Sequence, residues 1–222
     1  MGQVFIVLGL LAAARDLGGA MLFYLATLTI VFAATSRWDL TIFGFIGAGI
    51  ASILGYYFFG HVRVRAEAWL NPWQDVPGKG YQIVQSLFAM AEGGFFGTGL
   101  GLGRPDYIPA VTTDFIFSAF FEEFGFLGAV AIIIVYFLLV YRGLRIALAT
   151  ENSFLSLSAL SITTFLGFQI FTIIGGVIKL IPLTGVTLPF MSYGGSSMVM
   201  SFISLGILNG IWMRAVGDET NE

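Results

Sequence analysis

The stretch "TDFIFSAFFEEFGFLGAVAIIIVYFLLVY", Thr113 to Tyr141, sets three carboxylates at the mouth of a long apolar run. A helix needs roughly 20 largely apolar residues to cross the hydrocarbon core of a bilayer, and Phe120 to Tyr141 supplies them. Asp114 precedes the run, and Glu122 and Glu123 sit at its start. Working outward, Thr41 to Gly60, Phe154 to Ile178 and Pro189 to Met213 read as further spans. Near the N-terminus, Val4 to Ala14 and Leu17 to Thr35 are apolar but separated by "RDLGG". Two short helices are expected rather than one kinked helix, because Arg15 and Asp16 are unfavourable in lipid and Gly18 and Gly19 break a helix readily. This end lacks the basic region and cleavage site of a signal peptide and reads as the middle of a larger bundle.

Composition agrees with that reading. Hydrophobic residues make up 57% of the 222 and charged ones 10%, with a mean hydropathy of +0.90, so the chain belongs in a membrane. The absence of cysteine removes thiol nucleophiles, disulfides and thiolate metal sites, and the single histidine excludes a His-based metal cluster. Any chemistry must rest on carboxylates, bases and backbone. The net charge of −3 is too small to identify a partner, and nothing points to nucleic acid.

The expected architecture is all-α: a polytopic transmembrane helical bundle with a large extracytoplasmic loop. Its parts are N-terminal transmembrane helices over residues 1–60, broken at 15–19, a loop over 61–119, and three C-terminal transmembrane helices with a short cytoplasmic tail over 120–222. The segment from His61 to Thr113 holds four of the six prolines. Structureless loops of that length are unusual and tend to be functional. Within it, Tyr81 to Ala91 has helical apolar spacing and is expected at the membrane interface. Charge gives an ambiguous orientation. With the C-terminus inside, Arg37, Arg142, Arg145 and Arg214 lie inside. Arg15, Arg63, Arg65, Lys79, Arg104 and Lys179 lie outside and outnumber them, against the positive-inside tendency. Either the orientation is inverted or the outer cations hold an anion.

Several residues could carry chemistry. Asp114 could cap the following helix, act as a general base with a raised pKa, or do both. Glu122 and Glu123 suit a helix N-terminus as well as a polar cavity. "GGFFGTGLGLG", Gly93 to Gly103, could offer backbone N–H groups to phosphate or simply form flexible turns. It matches neither a P-loop nor a dinucleotide fingerprint. "HVRVR" puts Arg63 and Arg65 on one face if extended, as interfacial anchors or as pyrophosphate contacts. His61 reads as interfacial. "KLIPLTGVTLPFMSYGGSS", Lys179 to Ser197, reads as a re-entrant turn lining a cavity.

Together these segments resemble the SEDS family: FtsW, RodA and the sporulation member. The resemblance is carried by "RDLGGA", "AWLNPWQDVPGKGYQIVQS", "GGFFGTGLGLG", "TDFIFSAFFEEFGFLG" and "IPLTGVTLPFMSYGGSS", in family order across nearly the whole chain. It implies a multi-pass protein of the bacterial cell membrane that polymerises lipid II, works with a class B penicillin-binding protein and contacts membrane lipids. The His61 to Thr113 segment would then be extracytoplasmic, and Asp114 would match the family's essential carboxylate. Asp114 as general base would deprotonate the acceptor sugar hydroxyl in one inverting displacement. Arg63, Arg65, Lys79 or a divalent metal ion, Mg or Mn, would neutralise the departing pyrophosphate. The expected substrate-binding set is Arg63, Arg65, Lys79, Glu122, Glu123, Lys179, Ser192, Gly194 and Gly195.

The sequence also departs from the family pattern. The chain begins partway along the family's length, Arg15 replaces a common proline, no His or Glu stands just upstream of Asp114, and Thr184 replaces a lysine found in some members. Two alternatives remain at this point: a lipid II transporter, which would need polar groups along a path through the bilayer, and a non-catalytic scaffold.

Overall fold

The computed structural model describes residues 2–14 and 16–219; Arg15, half of the charged pair considered above, lies outside them. Among these residues eight α-helices follow in order: α1 (Gly2–Ala13), α2 (Leu17–Thr35), α3 (Trp38–Phe58), α4 (Gly60–Leu70), α5 (Tyr81–Gly93), α6 (Ile116–Ala149), α7 (Ser153–Val177) and α8 (Gly195–Glu219). There is no strand among the described residues. Five helices, α2, α3, α6, α7 and α8, are long and apolar enough to cross a membrane, so the chain is a polytopic helical membrane protein.

Local chemistry sets the helix ends. The Asp16 carboxylate accepts the Gly19 N–H at 2.8 Å and caps α2. Asn152 does the same for α7, accepting from Phe154 N and Leu155 N at 3.0 and 3.2 Å. Short turns join α2 to α3 and α6 to α7 at one end of the bundle, and the long connections gather at the other. Arg37, Arg142, Arg145 and Arg214 therefore lie towards the short-turn end. Arg63, Arg65, Lys79, Arg104 and Lys179 lie on the long-loop side.

The core lies between α6 and α7, where Ala129, Tyr136, Ile170, Ile173, Ile174 and Val177 pack with Phe115, Phe117 and Leu188. At Gly143 a β-carbon would collide with the Thr163 side chain, so the two helices approach through a small residue. Ile133, Ile134, Val135, Phe137 and Leu138 on α6 are exposed, giving the helix an apolar outer surface.

Four features differ from the sequence expectation. First, α6 starts at Ile116, not Phe120, and breaks at Gly125, where φ is 67° and ψ −169°. Gly125 and Val177 stand about equally far along the chain from the α6–α7 turn, so the break lies level with the end of α7. Second, Pro189 to Gly194 belongs to the preceding loop and the last span begins at Gly195. Third, "HVRVR" is helical, as part of α4, and residues two apart on a helix do not share a face. Fourth, α5 runs to Gly93 rather than ending at Ala91; it buries Ile83, Val84, Ser86, Ala89 and Gly93 and packs on α6, with the Ser86 and Ser118 hydroxyls 2.6 Å apart.

Candidate functional site

Two segments far apart in sequence meet at the long-loop end of the bundle. The first is 110–115, a tight turn in which the Asp114 and Thr113 N–H groups both bond to the Ala110 carbonyl, at 3.0 and 3.2 Å. Phe115, 1% exposed, anchors this turn in the core. The second is the irregular loop 178–194, held by four side chains from three helices. Tyr136 of α6 donates its hydroxyl to Pro189 O at 2.7 Å, and Gln169 of α7 donates its amide to Thr187 O at 2.8 Å. From α4, Trp69 donates to Lys179 O at 3.0 Å and Arg65 to Thr184 O at 2.6 Å. Non-helical backbone at membrane depth requires such protein partners.

Ser192 joins the two segments. Its buried hydroxyl donates to Thr113 O at 2.6 Å and accepts the Leu188 N–H at 2.8 Å, while the Tyr193 N–H bonds to Thr112 O at 2.7 Å. Two successive carbonyls just before Asp114 are thereby fixed to the loop. Asp114 itself does not cap α6: the cap residue is Phe115, with no side-chain cap bond. The capping reading is corrected on that ground, and the carboxylate is left facing the loop.

Gly185 stands between Asp114 and Arg65. A β-carbon there would lie 3.1 Å from Arg65 Nη2 and 3.5 Å from Asp114 Oδ2, and the glycine's φ of +75° suits no other residue well. Burial pushes the Asp114 carboxyl above its ordinary value, while the Thr113 hydroxyl and the Arg65 charge pull it back. The Thr184 hydroxyl is buried with no protein partner. Carboxylate and guanidinium thus converge around a residue with no side chain, while the Thr184 side chain packs against Gly18 of α2.

The other sequence candidates are distributed differently. Arg63 lies over the Tyr56 ring at 5.5 Å and reaches Tyr57 O at 3.4 Å. Lys79 pairs with Glu67 at 3.0 Å. Lys179 meets the site through its backbone carbonyl, bonded to Trp69. Gly194 packs near Thr187 and Ser197, and Gly195, with open space around it, starts α8. Glu122 and Glu123 lie in the second turn of α6 beneath the glycine-rich loop. Glu122 is 1% exposed and accepts the Arg104 N–H at 2.6 Å, and Glu123 accepts the Gly101 N–H at 3.1 Å. Of the cations proposed for the site, Arg65 is the one placed beside Asp114.

Gly185, Gln169 and Tyr136 were not singled out from the sequence as site residues. The glycine of "PLTG" was the available signal; the two span residues gave none. Among the described residues no group of three or more His, Asp or Glu side chains could hold a metal ion, so the divalent ion expected from the resemblance has no protein cage here.

The family described as FTSW_RODA_SPOVE, cell cycle protein, matches residues 1–216. Peptidoglycan glycosyltransferase RodA of Mycobacterium tuberculosis is 47% identical over 203 residues, which cover 91% of this chain and 43% of that protein. Stage V sporulation protein E of Bacillus subtilis is 38% identical over 212 residues, covering 94% and 57%. A solved structure reported as "Structural coordination of polymerization and crosslinking by a peptidoglycan synthase complex" matches with a TM-score of 0.75 at 26% identity, covering 96% of this chain and 60% of that one. A crystal structure of the Thermus thermophilus rod shape determining protein RodA, an aspartate-to-alanine mutant, matches at 0.62 and 26%, covering 92% and 52%. The chain spans about half the length of these relatives.

Proposed function

The chain belongs to the FtsW, RodA and SpoVE family of cell cycle proteins, and from that premise we propose that it carries the catalytic end of a peptidoglycan glycosyltransferase that polymerises lipid II. The observation that carries the proposal is the meeting of Asp114 and Arg65 around Gly185. In this reading the long-loop end faces the outside of the bacterial cell membrane, where lipid-linked sugar is available.

The proposed reaction is one inverting displacement. The Asp114 carboxylate accepts the proton of the acceptor sugar's 4-hydroxyl as that oxygen bonds to the anomeric carbon of the donor. The bond from that carbon to the undecaprenyl pyrophosphate breaks, and the electron pair leaves with the phosphate oxygen. Arg65 meets the charge that develops there. Partial burial supports Asp114 in this role, because a raised pKa strengthens a carboxylate as a base. A divalent ion would supply further neutralisation, but the residues around Asp114 do not form a cage for one, and no step is assigned to it.

Two aspects bear on the alternatives. The carboxylate and the cation beside it lie at one end of the bundle rather than along a path through it, which favours a polymerase over a transporter. The solved complex that this chain resembles joins polymerisation with crosslinking, which supports a class B penicillin-binding protein as partner. The test is Asp114→Asn, assayed with lipid II for glycan polymer on the chain as expressed and on a fusion behind the N-terminal helices of the Mycobacterium tuberculosis relative. The expected loss is at least ~10²-fold. Undiminished polymer from the variant removes Asp114 from the mechanism.

A further inference from the structure

The glycine-rich segment 94–102, "GFFGTGLGL", contains no charged residue. It nevertheless places Phe95, Phe96, Leu100 and Leu102 at the surface, 54%, 79%, 78% and 74% exposed. Loops in water seldom display so contiguous an apolar set.

Five of the segment's N–H groups and three of its carbonyls are turned inward. Gly97 N bonds to Gly93 O at 2.7 Å, Thr98 N to Glu122 O at 2.9 Å, Gly99 N to Glu123 O at 3.1 Å and Leu102 N to Gly99 O at 3.1 Å. Gly101 N is taken by the Glu123 carboxylate. In return, Phe126 N and Leu127 N of α6 bond to Gly94 O and Phe95 O. These N–H groups are therefore committed within the protein, which argues against a phosphate cradle. The remaining groups, among them the N–H and carbonyl of Phe96 and of Leu100, have no protein partner among the described residues and keep the backbone at the hydrated edge of a leaflet, where an unpaired peptide group meets water and apolar side chains can still be buried.

The position of the loop identifies its surroundings. It docks on the break of α6 at Gly125, level with the end of α7, and Phe95 stacks on Phe126 with ring centroids 5.7 Å apart. Exposed Phe124, Phe126 and Leu127 connect it to Ile133, Ile134, Val135 and Phe137, the lipid-facing side of the same helix. The loop's apolar surface is an extension of the membrane-facing surface.

The geometry points to residues 94–102 as a loop lying on the membrane surface, its Phe96, Leu100 and Leu102 side chains inserted among acyl chains of the leaflet on the Asp114 side. Glu122 and Glu123 beneath it accept from Thr98, Gly99 and Gly101 N–H and hold the loop on α6. This assignment is independent of the proposed reaction.

The cysteine-free chain allows a direct test. Phe96→Cys and Leu100→Cys, each carrying a nitroxide label, would be reconstituted in phosphatidylethanolamine/phosphatidylglycerol bilayer discs. Collision rates with oxygen and with a water-soluble nickel chelate then report depth. Leu138→Cys, on the exposed side of α6, gives the lipid reference, and Gln74→Cys, in the turn between α4 and α5, gives the water reference. Oxygen should dominate over nickel at both loop positions, with a depth of about 5–10 Å below the phosphates. Nickel access at either position overturns the assignment. So does shielding from both reagents, which would mean that protein covers the loop.

Discussion

Arg65 and Asp114 face each other across Gly185, close enough that a single methyl group at that position would touch both. They do not form an ion pair of 4 Å or less among the described residues. The guanidinium bonds instead to Thr184 O, which leaves part of its charge directed to the space beside the carboxylate. An arrangement of this kind keeps a base unneutralised while placing a cation where an anion can join it.

The pH dependence follows from this arrangement. Burial raises the Asp114 carboxyl above 3.8, and Arg65 opposes the rise. A base must be deprotonated, so kcat/KM falls as pH drops through the raised value. In Arg65→Gln the opposing charge is gone, the carboxyl rises further, and the acid limb moves to higher pH. Stability runs the other way: the folded chain holds this proton more tightly than the unfolded chain. The group's stabilising contribution is thus present at low pH and lost as pH rises above 3.8 through the folded value. A pH–rate profile of both proteins checks the prediction. A limb that stays in place or moves down contradicts it.

Gly185→Ala tests the shared space. An L side chain in the left-handed region costs about 1–2 kcal/mol, and the new methyl would meet Arg65 Nη2 at 3.1 Å. The variant should still fold, with a lowered Tm. Its kcat/KM should drop at least about tenfold, equivalent to roughly 1.4 kcal/mol of transition-state stabilisation. Polymerisation assays paired with thermal unfolding in detergent separate the two effects.

Much of the fold was legible because lipid imposes a simple rule: a span must be apolar over its whole length. The runs ending near Tyr141 and Ile178 obeyed it. The break at Gly125 was hidden by the same rule, since the apolar run continues through the glycine without interruption. The site was legible only in part. Asp114 could be picked out as a carboxylate beside an apolar run, but the choice of Arg65 over Arg63 depends on α4 being helical and on a contact 119 residues away. That polar helix is held by tertiary bonds from Trp69 and Arg65, which local sequence does not encode.

Ser192 was read as a substrate contact, and its geometry predicts a different role. Ser192→Ala would leave Leu188 N and Thr113 O unpaired, at about 1–3 kcal/mol for the buried Leu188 N–H and less for the part-buried Thr113 carbonyl. The loosened turn should lower kcat while KM stays nearly constant, because Asp114 is displaced rather than removed. Ser192→Thr, which keeps the hydroxyl, should recover part of the rate. Ser201→Ala, which removes a hydroxyl bonded within α8 to Ser197 O, should leave the rate unchanged. A rise in KM with kcat preserved would return Ser192 to the substrate-binding set.

Two glycines allow backbone strain to be separated from collision. Gly125 and Gly101 both have positive φ, 67° and 71°. A β-carbon at Gly101 would meet nothing within 4 Å, whereas one at Gly125 would stand 2.6 Å from the Phe96 carbonyl carbon and 2.7 Å from that of Phe95. Gly101→Ala should therefore lose only the backbone contribution, about 1–3 kcal/mol. Gly125→Ala must also separate the glycine-rich loop from α6, breaking the bonds from Phe126 N and Leu127 N. Its Tm should fall well below that of Gly101→Ala, and labels at Phe96→Cys should report a displaced loop. Equal losses in the two variants would mean that the loop is not fastened to the break in α6, and that something other than this contact holds the helix open at Gly125.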